Sequence, residues 1–557
     1  IMQPGQALEL LNFEPDIKGG YRRISGFKKY VNQIVPQTSA SSEKILMVAL
    51  FNNNIVAARG EKIFTSASAE LGTLSTNAIA ADTSMTGSST ITVKSTLGFS
   101  SSGTLQINSE QFTYTGKTAT TFTGVTRAVN STTAAAHSAS GETAQTVVSE
   151  DWTVRDTGRT SASKYTFERF NFDGNDKLIV VDGVNDPTVF NTSFSATDVT
   201  ESSVEGAKFV TAFREHMFYA GMSSTPQEII FSQPFDEDAF NTGSGAGSVK
   251  VDDTIVGLKV FRENLFIFCE NRIFKLTGSS STDFAIAPVT RDIGCINGDT
   301  IQEFAGDLIF LGPDGLRTVA GTAKIGDVAL GTVSSNVQSL FDENIADSGL
   351  FDSVVIADKT QYRIFFVKDG SAETFTDGVI CVMKGQNFEF AEIRGIKPSS
   401  TDTFVESGDV IVVHGGFDGY IHRQERGNDF NGTSIMGRYR SPDITFGDPG
   451  IRKHMQRVIL NYAPESAINA DMFVRYDYEG KDSARPAAYP LDSTDVVAIY
   501  GTSSYGSPTY GGASQPLIRQ PVEGSGFAIA LRVNDNATTA PYSLKGFGLE
   551  YQVGARR

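Results

Sequence analysis

The sequence predicts an all-β fold: a propeller-like body of about six blades, a small β-domain inserted into it, and a C-terminal β-sandwich-like platform domain. Three observations carry this reading. A strand–turn–strand unit recurs along the middle of the chain. The composition suits short strands and turns, with 54 Gly and 39 Phe against a single Trp, Trp152. No segment keeps a helical period of apolar residues for more than about ten positions, except residues 333–353, which accommodate one short helix.

The recurring unit is visible in "NDKLIVVDGVNDPTVFNTS" from Asn175, "REHMFYAGMSSTPQEIIFSQ" from Arg214, "RENLFIFCENRIFKLTG" from Arg262, "AGDLIFLGPDGLRTVAG" from Ala305 and "SGDVIVVHGGFDGYIHRQ" from Ser407. Each begins with a polar turn, followed by four or five apolar β-formers. A short turn and a second, more alternating strand complete the unit. Further candidates lie at residues 43–66 and 360–390. Short strands repeating about every 40 to 50 residues are the signature of propeller blades. The apolar run suits a strand covered on both faces by neighbouring blades, and the alternating strand suits a position further out. On this reading "DIGCINGDTIQEFAGDLIFLGPDGLRTVAG", from Asp292, is a blade rather than an active site.

Two segments break the repeat. Residues 71–148 are dominated by Thr, Ser, Ala and Gly, with short alternating runs such as TLQINSEQFTYTG, and read as an inserted module of about five strands. Residues 433–557 contain no further blade and read as an antiparallel sandwich-like domain, with "VNDN" (residues 533–536) taken as a turn between strands. Tyr500, Tyr505 and Tyr510, each followed by Gly, fit a long loop. The organisation is therefore residues 1–70, an N-terminal platform and first-blade segment; 71–148, the insert; 149–432, the propeller body; and 433–557, the C-terminal domain.

The charge balance, 47 basic against 64 acidic side chains for a net −17, argues against sequence-independent gripping of duplex DNA. No run of about 18 apolar residues predicts a membrane span, and the opening residues do not have the form of a signal peptide. Cys269, Cys295 and Cys381 are far apart and odd in number, and Cys269 and Cys381 sit in apolar strand patterns, so buried thiols are expected rather than disulfides. His414 and His422 flank a turn, yet no Cys or carboxylate pattern completes a metal site, and they read as strand histidines. No phosphate loop, nucleophile elbow or nucleophile–base pair is present in the pattern. No catalytic, metal-binding or cofactor-binding residue is expected.

Three stretches together resemble the tail nozzle proteins, or tail tubular protein B family, of short-tailed bacteriophages: "LNFEPDIKGGYRRISGFKKY" near the start, "RDIGCINGDTIQEFAGDLIFLGPDGLRTVAG" in the middle and "LKGFGLEYQVGARR" at the end. The insert resembles a small β-module of other phage tail and virion proteins. The resemblance implies a non-enzymatic structural role in the virion tail, with assembly in the bacterial cytoplasm. Six subunits would form a ring below the portal and its adaptor, with tail fibres attached. Phage DNA would pass through the lumen without sequence-specific binding. The alternative is a propeller-based carbohydrate-binding protein or tail depolymerase. Lys18, Arg22, Arg23, Lys28 and Lys29 form a basic cluster in an acidic chain and, with Arg556 and Arg557, are the candidate assembly interface, docking to an acidic neighbour.

Overall fold

Each apolar run flanked by turns becomes a short antiparallel sheet, and the sheets close into a circle. The computed structural model describes residues 7–16, 19–30, 34–36, 44–67, 72–73, 89–93, 96, 101–108, 110–137, 143–147, 152–160, 164–319, 332–368, 377–385, 387–406, 409–465, 468–491 and 517–554. Seven blades follow in chain order. Blade one has the strands Ile45–Phe51, Asn54–Arg59, Lys62–Ala67 and Thr153–Asp156; blade two begins with Thr166–Phe170, blade three with Phe209–Phe213 and blade four with Ile255–Phe261. Among the described residues blade five has three strands, from Gln302–Phe304 to Gly315–Thr318. Blade six runs from Ser348–Ile356 to Asn387–Arg394, and blade seven from Pro398–Glu406 to Ile421–Gln424. The first strand of each blade is innermost and touches the first strand of the next; blade five makes its contact to blade four through the turn Gly298–Thr300, and blade seven returns to blade one.

The core is the set of seams between blades. Leu178 and Val180 of blade two pack on Met47 and Val56 of blade one, while Ile179 and Val181 pack on Val210 and Met217 of blade three. This explains why the run "LIVV" is apolar at every position: successive side chains point to opposite faces, and both faces are covered. The same division recurs at the later seams. All three cysteines are buried and free, and burial pushes the Cys269 and Cys295 thiols up to about 12. The helix expected within residues 333–353 is Gln338–Asp347, whose Phe341 enters the seam between blades five and six.

The inner hairpins show why "RE" recurs at the start of two units. Asn52 and Asn53, Arg214 and Glu215, and Arg262 and Glu263 all have φ between 44° and 64°. Two consecutive left-handed residues form the turn that matches strand twist, but Arg and Glu adopt it at a cost. The arginines offset that cost by reaching the next blade: Arg214 Nη2 donates to Glu263 O (3.4 Å), and Arg262 Nη2 donates to Gly306 O (2.5 Å).

Blade seven is completed by Phe27–Lys29, which pairs with Ile421–Gln424. Blade six is not a free sheet. Its outer strand pairs in parallel with Glu9–Leu11, and the sheet continues antiparallel through Ile435–Arg440, Ile529–Ala537, Ala470–Tyr476 and Tyr489–Pro490. A second sheet, in the order Phe13–Pro15, Tyr21–Arg23, Tyr542–Val553, Lys453–Pro464 and Leu517–Pro521, faces it across one core. The platform is thus a sandwich built from both ends of the described chain. The residues "VNDN" are not a turn: they lie inside Ile529–Ala537, where Asp535 is buried against Arg23. Tyr500, Tyr505 and Tyr510 lie outside the described residues.

The insert leaves blade one after Lys62–Ala67 and returns at Thr153–Asp156, two strands paired through Thr65 and Thr153. Among the described residues its core, including Ile91, Leu105, Phe112 and Phe122, consists of the insert's own side chains. Buried Glu110 ties it together, accepting from Arg127 (2.8 and 2.7 Å), the Ala135 amide (2.8 Å) and His137 (3.0 Å). Burial opposes the charge, but Arg127 and these hydrogen bonds hold the Glu110 carboxyl at about 2. Replacing residues 71–148 by a short Gly–Ser linker is expected to leave a folded propeller and platform, seen as an unchanged main unfolding transition. In the whole chain, Glu110→Ala should lower the insert's own stability by about 3–5 kcal/mol. The clasp's contribution should be full above pH 4.5 and lost as pH falls from there toward 2, read by hydrogen exchange of the amides of residues 103–125.

Candidate functional site: the junction of propeller and platform

The described side chains of the basic N-terminal cluster are engaged within the chain, and Arg23 alone of them is buried. Tyr21–Arg23 pairs with Tyr542–Val553, and the turn before it brings Gly20 so close that a Cβ there would lie 2.1 Å from Leu544 O. Arg22 points along the platform edge. Its Nε and Nη2 make a fork to Glu465 (2.7 and 3.1 Å), and its Nη1 reaches Glu14 (3.1 Å). Arg23 points the other way and is fully buried. It pairs with Asp535 at 3.2 Å and donates to the carbonyls of Ala537 (2.9 Å), Asn428 and Thr539. The expectation that Arg23 offers its fork to a partner is therefore corrected: its guanidinium is used within the chain, because the alternative is an unpaired buried Asp535.

Lys28 and Lys29 lie on the outer strand of blade seven. Lys28 pairs with Asp429 at 2.6 Å, and the Lys29 ammonium sits 3.5 Å from the centroid of the Tyr420 ring. Charged side chains on an edge strand discourage further pairing. Lys18, Arg556 and Arg557 lie outside the described residues.

Sequence reasoning missed the centre of this junction. Glu14, almost buried, accepts from Arg22, from Lys359 (2.8 Å), from Gln361 (3.1 Å) and from Arg363 (3.4 Å). Arg363 is fully buried and also pairs with Glu425 (2.5 Å). Lys359 and Arg363 belong to blade six, Glu425 follows blade seven, and Glu14 belongs to the platform. Burial would raise the Glu425 carboxyl, yet Arg363 and Lys359 hold it down at about 2. Nothing marks these residues in sequence, since each is a single charge in or next to a strand and the cluster spans more than 400 positions.

The propeller axis is the second polar site. Lys164 lies between Asp299 (3.2 Å) and Asp352 (3.1 Å), and Thr401 donates to Asp352 (3.0 Å). Arg169 reaches Asp402, which also accepts from the Leu50 amide (2.7 Å). On the innermost strand of blade two, burial lifts Glu168 to about 7 against the pull of Lys259 and Arg169. His414 and His422 are register partners stacked 5.0 Å apart, with Phe27 edge-on to both. Burial holds His414 well below its usual range. Among the described residues no group of three or more His, Cys, Asp or Glu is placed to hold a metal ion, and no helix is long and apolar enough to cross a membrane.

No protein-family profile matches the chain, and no curated protein matches it. Solved structures similar to it include the N-terminal domain of Nup159 (10% identity, 47% of this chain and 89% of that one, TM-score 0.29). Hsv2 of Kluyveromyces lactis is similar at 8% identity over 64% of this chain and 98% of that one, with a TM-score of 0.29. The endosialidase of phage phi92 is similar at 13% identity over 50% and 54%, with a TM-score of 0.28.

Two outcomes follow from the geometry. Arg23→Ala, which strands Asp535, should destabilise the protein by about 3–5 kcal/mol, whereas Arg22→Ala, which loses the partly exposed pair to Glu465 and leaves Glu14 its donors Lys359, Gln361 and Arg363, should cost about 1 kcal/mol; denaturant midpoints distinguish them. Glu168→Gln should stabilise the protein at pH 8, where the wild-type carboxylate is ionised on the axis, by roughly 1–2 kcal/mol once water reaching the site is allowed for. The gain should shrink as pH falls from 7 and vanish near 4.5, read as the Tm difference across that range.

Proposed function

We propose that the protein is a structural subunit of a short bacteriophage tail, a nozzle component that forms a sixfold ring below the portal and adaptor. The ring would continue the DNA-ejection channel, carry tail fibres and assemble in the bacterial cytoplasm. One observation carries the reading: propeller and platform share a continuous nine-stranded sheet and the Glu14 ion cluster, so each subunit is a single stiff strut. A channel wall that must keep its bore during ejection needs that property more than it needs a flexible cleft. The stretches that resemble nozzle proteins have structural roles. "GGYRR" and "LKGFGLEY" are adjacent platform strands, and a Cβ on Gly294 of "RDIGC" would lie 2.1 Å from Glu270 O of blade four. In a net −17 chain, a lumen that does not hold phosphates is the expected companion of this role.

Glu168 near neutrality and the Lys164–Asp299–Asp352 group favour a second reading, a carbohydrate-binding propeller or depolymerase. Microscopy of the native particle separates the two. A sixfold ring with a through-channel is expected. A ring of another order within virions would overturn the nozzle reading, as would hydrolysis of host polysaccharide abolished by one carboxylate substitution.

A further inference from the structure

The strand that closes blade seven is three residues long, and two buried histidines lie against it. Phe27–Lys29 meets Ile421–Gln424 at three register positions, Phe27 with Gln424, Lys28 with Arg423 and Lys29 with His422. On the other side of the same strand His422 stands opposite His414. Side chains alternate along a strand, so His414, His422, Gln424, Phe27 and Lys29 share one face, and Arg423 and Lys28 lie on the other. The two imidazoles stack at 5.0 Å with 23° between their planes, and the Phe27 ring lies 5.1 and 5.0 Å from them. Phe27 also stacks on Phe430 at 5.2 Å. The closing strand is thus seated on the histidine pair. Its backbone is held where Phe27 N donates to Asp429 O (3.1 Å), Asn431 N to Phe27 O (3.0 Å) and Tyr30 N to Ile421 O (2.8 Å).

This seat accommodates neutral rings and is poorly made for charged ones. His422 Nε2 lies 3.0 Å from Asp418 Oδ2, a half-exposed carboxylate. Among the described residues no carboxylate pairs with His414, and Nδ1 of each ring is buried without a hydrogen-bond partner. A proton gained at either Nδ1 therefore meets no acceptor, and a buried charge without one is strongly disfavoured. Two charged rings would also set like charges side by side with a single carboxylate to answer them. Burial and the charge of His422 both hold His414 down, and Asp418 opposes them.

The other charged groups around this face are matched already or have the wrong sign. Lys29, opposite His422, is itself cationic and lies over the Tyr420 ring. From blade six, Arg363 donates to Gln424, but Arg363 and Lys359 are answered by Glu14 and Glu425. From the inner strand of blade seven, Thr401 stands opposite His414 and donates its hydroxyl to Asp352, which holds Lys164. On the far face Lys28 is paired with Asp429.

We propose that His414 and His422 form a proton-operated latch: neutral rings seat Phe27 and keep blade seven closed, and acidification charges them and releases Phe27–Lys29 before the rest of the propeller unfolds. The sign follows from burial. In the open form the histidines are hydrated and charge below about pH 6.5. The closed form keeps His414 neutral there, so the open form binds more protons and gains on the closed one as pH falls. Each proton taken up on opening shifts the balance by up to about tenfold per pH unit. The platform keeps its hold on blade six through the nine-stranded sheet, so the opening is confined to the edge of blade seven. This device does not depend on the ring proposed above.

The test is hydrogen exchange of the full chain from about pH 7.5 to about pH 4.5, a window around the free histidine value. Protection of the Phe27, Tyr30 and Asn431 amides, corrected for intrinsic exchange, is compared with that of His216–Ala220 in blade three. The latch amides are expected to lose protection roughly 30-fold or more across the window while blade three keeps its own. His414→Phe/His422→Phe, which retains two rings that take up no proton, should flatten that loss, and His414→Gln/His422→Gln replaces it should the larger rings disturb folding. Asp418→Asn, at a half-exposed residue, removes the carboxylate at the pair and should move the loss to higher pH. Asp352, whose carboxyl burial raises, acts in the opposite sense and cannot imitate the effect. Latch amides whose protection is independent of pH, or falls only together with blade three, overturn the latch. An unaltered pH dependence in the double variant, or a shift to lower pH in Asp418→Asn, overturns it as well.

Discussion

The Glu14 carboxylate is the constraint on which the architecture turns. It comes from the N-terminal segment, which belongs to neither a blade nor the C-terminal domain by sequence, and it is almost fully enclosed. An isolated carboxylate so placed would cost several kcal/mol in lost hydration. Here it is answered by Arg22, Lys359, Gln361 and Arg363, drawn from platform and blade six, while Glu425 brings in the end of blade seven. Such a cluster adds little net stability compared with well-packed apolar groups, but it is intolerant of partial formation. The relative placement of three parts of the chain is therefore held in one way, because any displacement leaves a buried charge unpaired.

The blades were legible because their chemistry is local. An apolar run between polar turns states both the strand and its double burial, and residues 175–193 or 262–278 contain a whole repeat within a few dozen positions. The insert was legible for a similar reason, as a change in composition. What escaped was non-local. Blade six reads in sequence as one more repeat, and only its pairing with Glu9–Leu11 turns it into part of the platform. "VNDN" looks like a turn because its polar residues suit one, yet Asp535 is neutralised by an arginine 512 positions earlier and the strand runs through it. The Arg–Glu turns of blades three and four likewise lack the Gly or Asn that marks a left-handed pair, and their support comes from the neighbouring blade. The basic N-terminal cluster was visible as charge, but its direction was not: Arg22 and Arg23 are adjacent, and strand alternation sends one to the rim and the other to the interior.

Polar chemistry is concentrated where blades converge and where the platform joins. On the axis, Lys164, Arg169 and their carboxylates bridge blade two to blades five, six and seven, and so tie opposite sides of the ring across its centre. The seams between neighbouring blades are apolar. This division gives the body two kinds of resistance: apolar seams oppose separation of adjacent blades, and axial ion pairs oppose ovalisation of the ring.

The closure of blade seven by Phe27–Lys29 has a consequence in time. During synthesis this strand is made before its partner strand Ile421–Gln424, and Arg23 before the Ala537 carbonyl it caps, 514 positions on. At about 5–20 residues per second, the strand waits on the order of 20–80 s for its partner, and the arginine longer. The intermediate blades complete their own hairpins in that interval, so the emerging chain is an open arc with an unpaired edge at its end. The lysines of the waiting segment make it poorly disposed to pair with the wrong strand. The same residues that close the finished molecule thus serve as its guard while it is being made.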